Sequence, residues 1–201
     1  MNNRQLFLQH IGQTSDAPLL LEIKKAKGNY LFGHDGRKYL DLIGGISVCN
    51  VGHGNRKVIR AVKHQAEHYM HVMVNGELVL SPQTAYAKLL VDNLPDPLNS
   101  VFFTASGTEA TEGAMKLAKR YTGRTKIVAF KKSYHGSTQG SLSIIGDEYW
   151  RNSFRPLLPG IAHLRYNSFE DLEQIDSSTA CVIAETIQAE AGVVVPAPEW
   201  M

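Results

Sequence analysis

The chain has 201 residues, 43% of them hydrophobic and 20% charged, the composition of an ordinary soluble globular protein with enough apolar material for a sizeable core. Its 21 basic and 19 acidic residues leave a formal charge of +2 without any basic block, which argues against nucleic acid or an anionic membrane as partner and favours small molecules. No stretch reaches the roughly 20 apolar residues that span a bilayer, and Met1 to Gln13 lacks the apolar core of a signal peptide, so a cytoplasmic location is expected.

In chain order, residues 1–27 read as a partly helical arm ending in an extended run, Leu19 to Lys24. Tyr30 to Phe32 and Lys38 to Leu42 flank His34-Asp35-Gly36-Arg37, and an Asp-Gly between two short apolar runs predicts a hairpin. A Gly-rich passage from Gly44 to Gly54 precedes a helix over Arg56 to His68, on which Val58, Ile59, Val62 and Ala66 recur at helical spacing. Ser81-Pro82 predicts the cap and first turn of a second helix running to Asn93. Cys49 and Cys181 have no second cysteine at metal-ligand or redox spacing and read as buried free thiols, with no metal site implied.

From residue 100 the pattern changes. Ser100 to Thr104 reads as a strand, followed by Ala105-Ser106-Gly107-Thr108 and a helix from Glu109 to Tyr121 that ends at Gly123. Lys126 to Phe130 and Ala180 to Ala184 are further strand candidates, with a helix over Ser168 to Ile175 between them. Continuously apolar strands alternating with helices predict an α/β fold with a mostly parallel sheet, preceded by a small α+β arm. The expected division is an N-terminal arm at 1–54 and a larger domain at 55–201.

Three segments carry candidate chemistry, all at strand ends where open α/β sheets collect ligands. The turn at 105–108 gathers free N–H groups, the Ser106 and Thr108 hydroxyls and a helix dipole, an anion site for which the plain alternative is a helix cap. Tyr134-His135-Gly136-Ser137-Thr138 could border a flat cofactor, or form an ordinary turn. Glu185-Thr186-Ile187-Gln188-Ala189-Glu190 brings two carboxylates and an amide to the same edge, where they could orient a ligand or be solvated loop charges. Their coincidence on one sheet edge favours a ligand site.

Phe102 to Ala110, Tyr134 to Thr138 and Glu185 to Gly192 resemble, in order and spacing, three successive blocks of class III (ω-amino-acid) aminotransferases. Gly28 to Asp41 and Gly52-His53-Gly54 resemble the same family's N-terminal signature, so the similarity covers nearly the whole chain. It implies a fold-type I enzyme that uses pyridoxal 5'-phosphate. Ser106, Gly107 and Thr108 would then meet the cofactor phosphate, Tyr134 would stack on the pyridine ring with His135 beside it, and Glu185 would join the surrounding hydrogen-bond network. Glu190 would face the substrate. Ile46 stands near the place of a substrate-binding tyrosine in ornithine-type relatives, which argues against free ornithine. Ser137 replaces the arginine that acetylornithine and ornithine enzymes carry after His-Gly, and a hydroxyl cannot give arginine's bidentate contact to a carboxylate.

The resemblance further implies transfer of a terminal amine to 2-oxoglutarate in a homodimer, with acetylornithine as first choice of donor. Another class III reaction on 4-aminobutyrate, β-alanine, putrescine or glutamate semialdehyde is the alternative, and a non-catalytic interaction protein is a third. Family members are about twice this length. Their Schiff-base lysine and the aspartate facing the pyridine nitrogen match no position here, and Lys131 and Lys132 precede the stacking tyrosine. The catalytic residue is therefore not assigned, and the chain reads as a fragment that is inactive alone.

Overall fold

The computed structural model describes residues 2–74 and 76–201; Met1, first residue of the expected arm, and Asn75 lie outside the described residues. The chain divides into two compact units, Met1–Leu78 and Val79–Met201.

The first unit opens with helix α1 (Asn3–His10), where Asn2 accepts from Gln5 N and the Gln5 side chain returns a bond to Asn2 N, a capping box. An antiparallel meander follows: β1 (Ile23–Lys27), β2 (Tyr30–Gly33) and β3 (Lys38–Leu40). The Asp35-Gly36 hairpin is as expected, with Tyr30 opposite Leu40, Gly36 at φ 78° and Asp35 accepting from Arg37 N and Tyr39 Oη. The extended run expected at Leu19 to Lys24 is displaced towards the C-terminus, because pairing with β2 sets the strand's limits and leaves Leu19 79% exposed.

Residues Gly44–Ser47 (α2) form a single turn in which all four residues have positive φ. For Ile46, at φ 60°, this is a strained conformation costing about 1–2 kcal/mol. Asp41 stabilises the turn by accepting from the N–H groups of Ile43 and Gly44, while its second oxygen takes a 2.6 Å bond from His53 Nε2. The His53 contact, then the two N–H groups, hold the Asp41 carboxyl below its ordinary pKa. Helix α3 (Arg56–His68) matches the expected bounds and is capped by Asn55; Arg56, Arg60, Lys63 and His64 line a shallow basic concavity along it.

In the second unit, α4 (Ser81–Val91) starts one residue earlier than its signal suggested. Leu80 occupies the cap position, and Ser81 makes no capping bond. Helix α5 (Gly107–Thr122) is closed by Gly123 at φ 69°, a left-handed C-terminal residue. The sheet consists of β4 (Lys126–Phe130) at its centre, β5 (Ile161–Leu164) and β6 (Thr179–Val182), in order β5-β4-β6 and parallel throughout. Between them lie the short helices α6 (Gln139–Ser143), α7 (Glu148–Arg151) and α8 (Phe169–Leu172).

Alternation along β4 builds two cores. Ile127 and Ala129 pack with Met115 and Ile144 on one face, whereas Val128 and Phe130 pack with Leu164 and Trp200 on the other. Covering both faces explains why β4 is apolar at every position after Lys126.

Three expectations need correction, and one strand lies outside them. Residues 100–104 belong to neither sheet; their β-branched and aromatic character is a context-dependent propensity that does not by itself make a ladder. β5 was not foreseen, because it is a four-residue edge strand interrupted by His163. The helix expected at 168–175 tightens after Leu172 into successive i to i−3 bonds at Glu173, Gln174 and Ile175. Cys49 and Cys181 are free thiols but only partly buried.

Candidate active site

At the start of α5, Ser106 is extended and its Oγ accepts from Glu109 N at 3.3 Å, while the Glu109 carboxylate accepts from Ala105 N at 2.8 Å. The first backbone bond of the helix runs from Ala110 N to Ser106 O. The N–H groups of Gly107 and Thr108 precede that bond, at the positive end of a 16-residue helix, an arrangement suited to an anion.

Facing this terminus is the segment that leaves β4. Ser133 Oγ, buried, donates to Phe130 O at 2.7 Å and closes the turn, with Lys132 at φ 63° and both Lys131 and Lys132 exposed. Gly136, at φ 120°, lies so close to Thr108 that a Cβ there would fall 2.4 Å from Thr108 Oγ1. Thr111 Oγ1 donates to His135 O at 3.0 Å. These contacts close a concavity of about 700 Å³ whose lining includes Gly107, Thr108, Tyr134, His135 and Ser137. Tyr134 is 49% exposed, and its Oη lies 3.2 Å from Ser137 Oγ. His135 Nε2 is buried with no hydrogen-bond partner among the described residues.

The third segment joins the second. Glu185 accepts from Tyr134 N at 3.2 Å and from Ala189 N at 3.3 Å, and its carbonyl is held by Tyr166 Oη. Gln188, 2% exposed, donates through Nε2 to Lys131 O at 2.9 Å and exchanges two backbone bonds with Val194. Glu190 is exposed in the loop between these paired residues, where Gly192 and Val193 both have positive φ. The structure thus brings Ser106, Gly107, Thr108, Tyr134, His135, Ser137 and Glu185 together, with Glu190 on the adjoining loop. Ile46 belongs to the other unit, on the strained turn described above.

The sequence marks Gln188 only as an amide at the sheet edge that could orient a ligand, and assigns nothing to Glu112 or His163; Glu112 carried the available signal of lying four residues from Thr108 on one helix face. His163 sits behind the site. Burial, then the nearby Arg151 guanidinium, lowers its pKa, and burial followed by His163 lowers that of His135. Arg151 contacts the His163 ring at 2.9 Å and donates to Ser143 O and to Glu148.

This arrangement has a pH consequence. Both imidazoles bind protons less readily in the folded chain than at the ordinary value of 6.5, so their neutral forms leave stability intact above that pH and it is lost as pH falls through 6.5 towards the folded values. The lowered carboxyls, such as Glu148 with an ordinary value of 4.5, act only in a more acidic window. Thermal midpoints should therefore fall between pH 7 and pH 5, and by a smaller amount in His163→Gln than in the parent; equal losses in the two proteins would rule out His163 as a source.

Residues 11–201 match the family model described as Aminotransferase class-III. The chain belongs to the class-III aminotransferases. It is 42% identical over 179 residues to a [LysW]-aminoadipate semialdehyde/glutamate semialdehyde transaminase of Sulfurisphaera tokodaii, covering 89% of this chain and 46% of that protein. It is also 39% identical over 188 residues to acetylornithine aminotransferase of Methanopyrus kandleri, covering 93% and 47% respectively. The chain spans about half the length of the curated relatives it matches. Among solved structures, an (S)-enantioselective omega-transaminase from Thermomicrobium roseum superposes with a TM-score of 0.86 at 28% identity, over 96% of this chain and 50% of that one. Taurine:2-oxoglutarate aminotransferase from Bifidobacterium kashiwanohense, solved in complex with PLP and glutamate, gives 0.83 at 31% identity, over 95% and 49%. The parallel sheet flanked by helices, expected from the sequence pattern, is thus part of the fold-type I transaminase architecture that the resemblance implied.

Proposed function

We propose that this class-III aminotransferase chain supplies the phosphate-binding and ring-stacking side of a pyridoxal 5'-phosphate site in a homodimeric enzyme that moves the terminal amine of an ω-amino acid to 2-oxoglutarate. The observation that carries the reading is the convergence of the Gly107 and Thr108 N–H groups, the half-exposed Tyr134 ring and His135 on one concavity. The donor set fits the cofactor: backbone N–H groups and a helix N-terminus for the phosphate, a flat aromatic face for the pyridine, and the unpartnered His135 Nε2 for a polar edge. When bound, pyridoxal phosphate supplies an electron sink next to the carbon bearing the substrate amine.

The chain's own residues orient and enclose. Glu185 holds the Tyr134 backbone. Gln188 fixes the Glu190 loop to the end of β4, leaving the Glu190 carboxylate exposed for a substrate group. Ser137 meets the Tyr134 hydroxyl and offers a substrate carboxylate only a neutral donor.

N-acetylornithine is the preferred donor, supported by the names of several relatives at 36–40% identity. The 42% identical semialdehyde transaminase favours a second reading, in which the donor is the amine counterpart of an aminoadipate-type semialdehyde. The test is glutamate formation from 2-oxoglutarate by the product of the native gene, with N-acetylornithine, 2-aminoadipate-derived amines, 4-aminobutyrate, β-alanine and putrescine as donors. Glutamate released with N-acetylornithine supports the first reading. Cofactor binding without glutamate from any donor would contradict aminotransferase activity.

A further inference from the structure

Glu112 lies one turn along α5 from Thr108, and its Oε1 accepts three hydrogen bonds: from Thr138 Oγ1 at 2.5 Å, Gly140 N at 2.9 Å and Ser141 N at 3.0 Å. A Cβ on Gly140 would meet Glu112 Oε2, so the carboxylate is seated directly against the Gly140 backbone. Carboxylates accept and do not donate. Thr138 therefore gives its single hydroxyl proton to Glu112, and in its 2.7 Å contact with Thr108 Oγ1 it acts as acceptor. Ser141 Oγ donates to Thr108 O at 3.2 Å, and so it too accepts from Thr108 Oγ1, at 3.0 Å. Thr108 Oγ1 also accepts from Thr138 N at 3.4 Å, and the two hydroxyls beside it are both acceptors for its proton. Its proton is directed into the network and away from the concavity.

We propose that Glu112 is a positioning residue for the phosphate site: it ties residues 138–141 to α5 and turns the Thr108 and Thr138 hydroxyl protons inward, so that an anion is held by the backbone N–H groups of Gly107 and Thr108. The inference rests on the reading of this concavity as a phosphate site. It also makes the Glu112 charge dispensable. A negative group one turn from an anion site opposes the anion, whereas all three structural bonds use one oxygen that an amide also possesses. Glutamine should therefore replace Glu112 without loss, and alanine should not.

The experiment titrates inorganic phosphate and pyridoxal 5'-phosphate into the full chain, Glu112→Gln and Glu112→Ala by calorimetry, and follows amide exchange of each protein. Glu112→Gln should bind within about twofold of the parent or more tightly, while Glu112→Ala binds about tenfold or more weakly and exchanges its Gly140 and Ser141 amides about tenfold faster. Unchanged protection of Ile127 and Val128 in β4 would show that the alanine variant is folded. Parent-like binding and exchange in Glu112→Ala would overturn the proposal, as would equal losses in the glutamine and alanine variants. If the parent binds neither probe, the phosphate reading fails, and the exchange rates alone decide whether Glu112 ties the loop.

Discussion

Gly136→Ala should abolish pyridoxal phosphate binding and destabilise the chain by about 3 kcal/mol or more, combining overpacking with a backbone conformation that L side chains rarely adopt. The added Cβ would sit 2.4 Å from Thr108 Oγ1, 2.6 Å from its Cβ and 3.0 Å from its Cα. A side-chain rotation can relieve only the first of these, since the Cα belongs to the first turn of α5. Relief must come from parting the 134–138 loop and the helix, which opens the concavity. Gly113, also in α5, provides the internal comparison: its surroundings are open, and Gly113→Ala should stabilise by about 0.5–1 kcal/mol through helix propensity. Urea denaturation of both variants reads the difference. A Gly136→Ala protein as stable as the parent would mean that the loop and helix do not approach as described.

Phe130→Ala should cost about 3–5 kcal/mol, the range for removing a buried aromatic ring. Phe130 is 2% exposed and packs edge-on against Tyr166 and Trp200, with centroids 5.8 Å and 4.9 Å away. Its position at the end of the central strand gives the substitution a functional side, because the next residues form the turn that presents Tyr134. Trp150 is 59% exposed and Trp200 is 7% exposed, so a shift of fluorescence towards a solvent-like spectrum in Phe130→Ala reports loosening around Trp200. A loss below about 1 kcal/mol would place the principal core elsewhere.

The elements legible in the sequence were those whose signals are local. The Asp35-Gly36 hairpin, the Asn55-capped α3, the Gly123 stop of α5 and the apolar β4 each follow from residues adjacent in the chain. What was misread depends on partners distant in sequence. Strand β5 exists because Ile127 to Phe130 pair with it, and the extended run near Leu19 shifted because β2 pairs from Ile23 onward. The same division runs through the site. Residues 106–108, 134–137 and 185 could be named from their blocks, whereas the Thr108 to Gly136 approach, the Glu112 acceptor and the Gln188 bond to Lys131 join segments 26 to 57 residues apart. Nothing in local spacing announces such contacts; they appear only once α5 and the sheet are packed together.

The most direct test of the site is a residue-resolved amide titration of the chain with pyridoxal 5'-phosphate. The largest shifts should fall on Gly107 and Thr108, with smaller ones over Tyr134 to Thr138. Shifts confined to Arg56, Arg60 and Lys63 on the basic face of α3, or none at all, would contradict that placement.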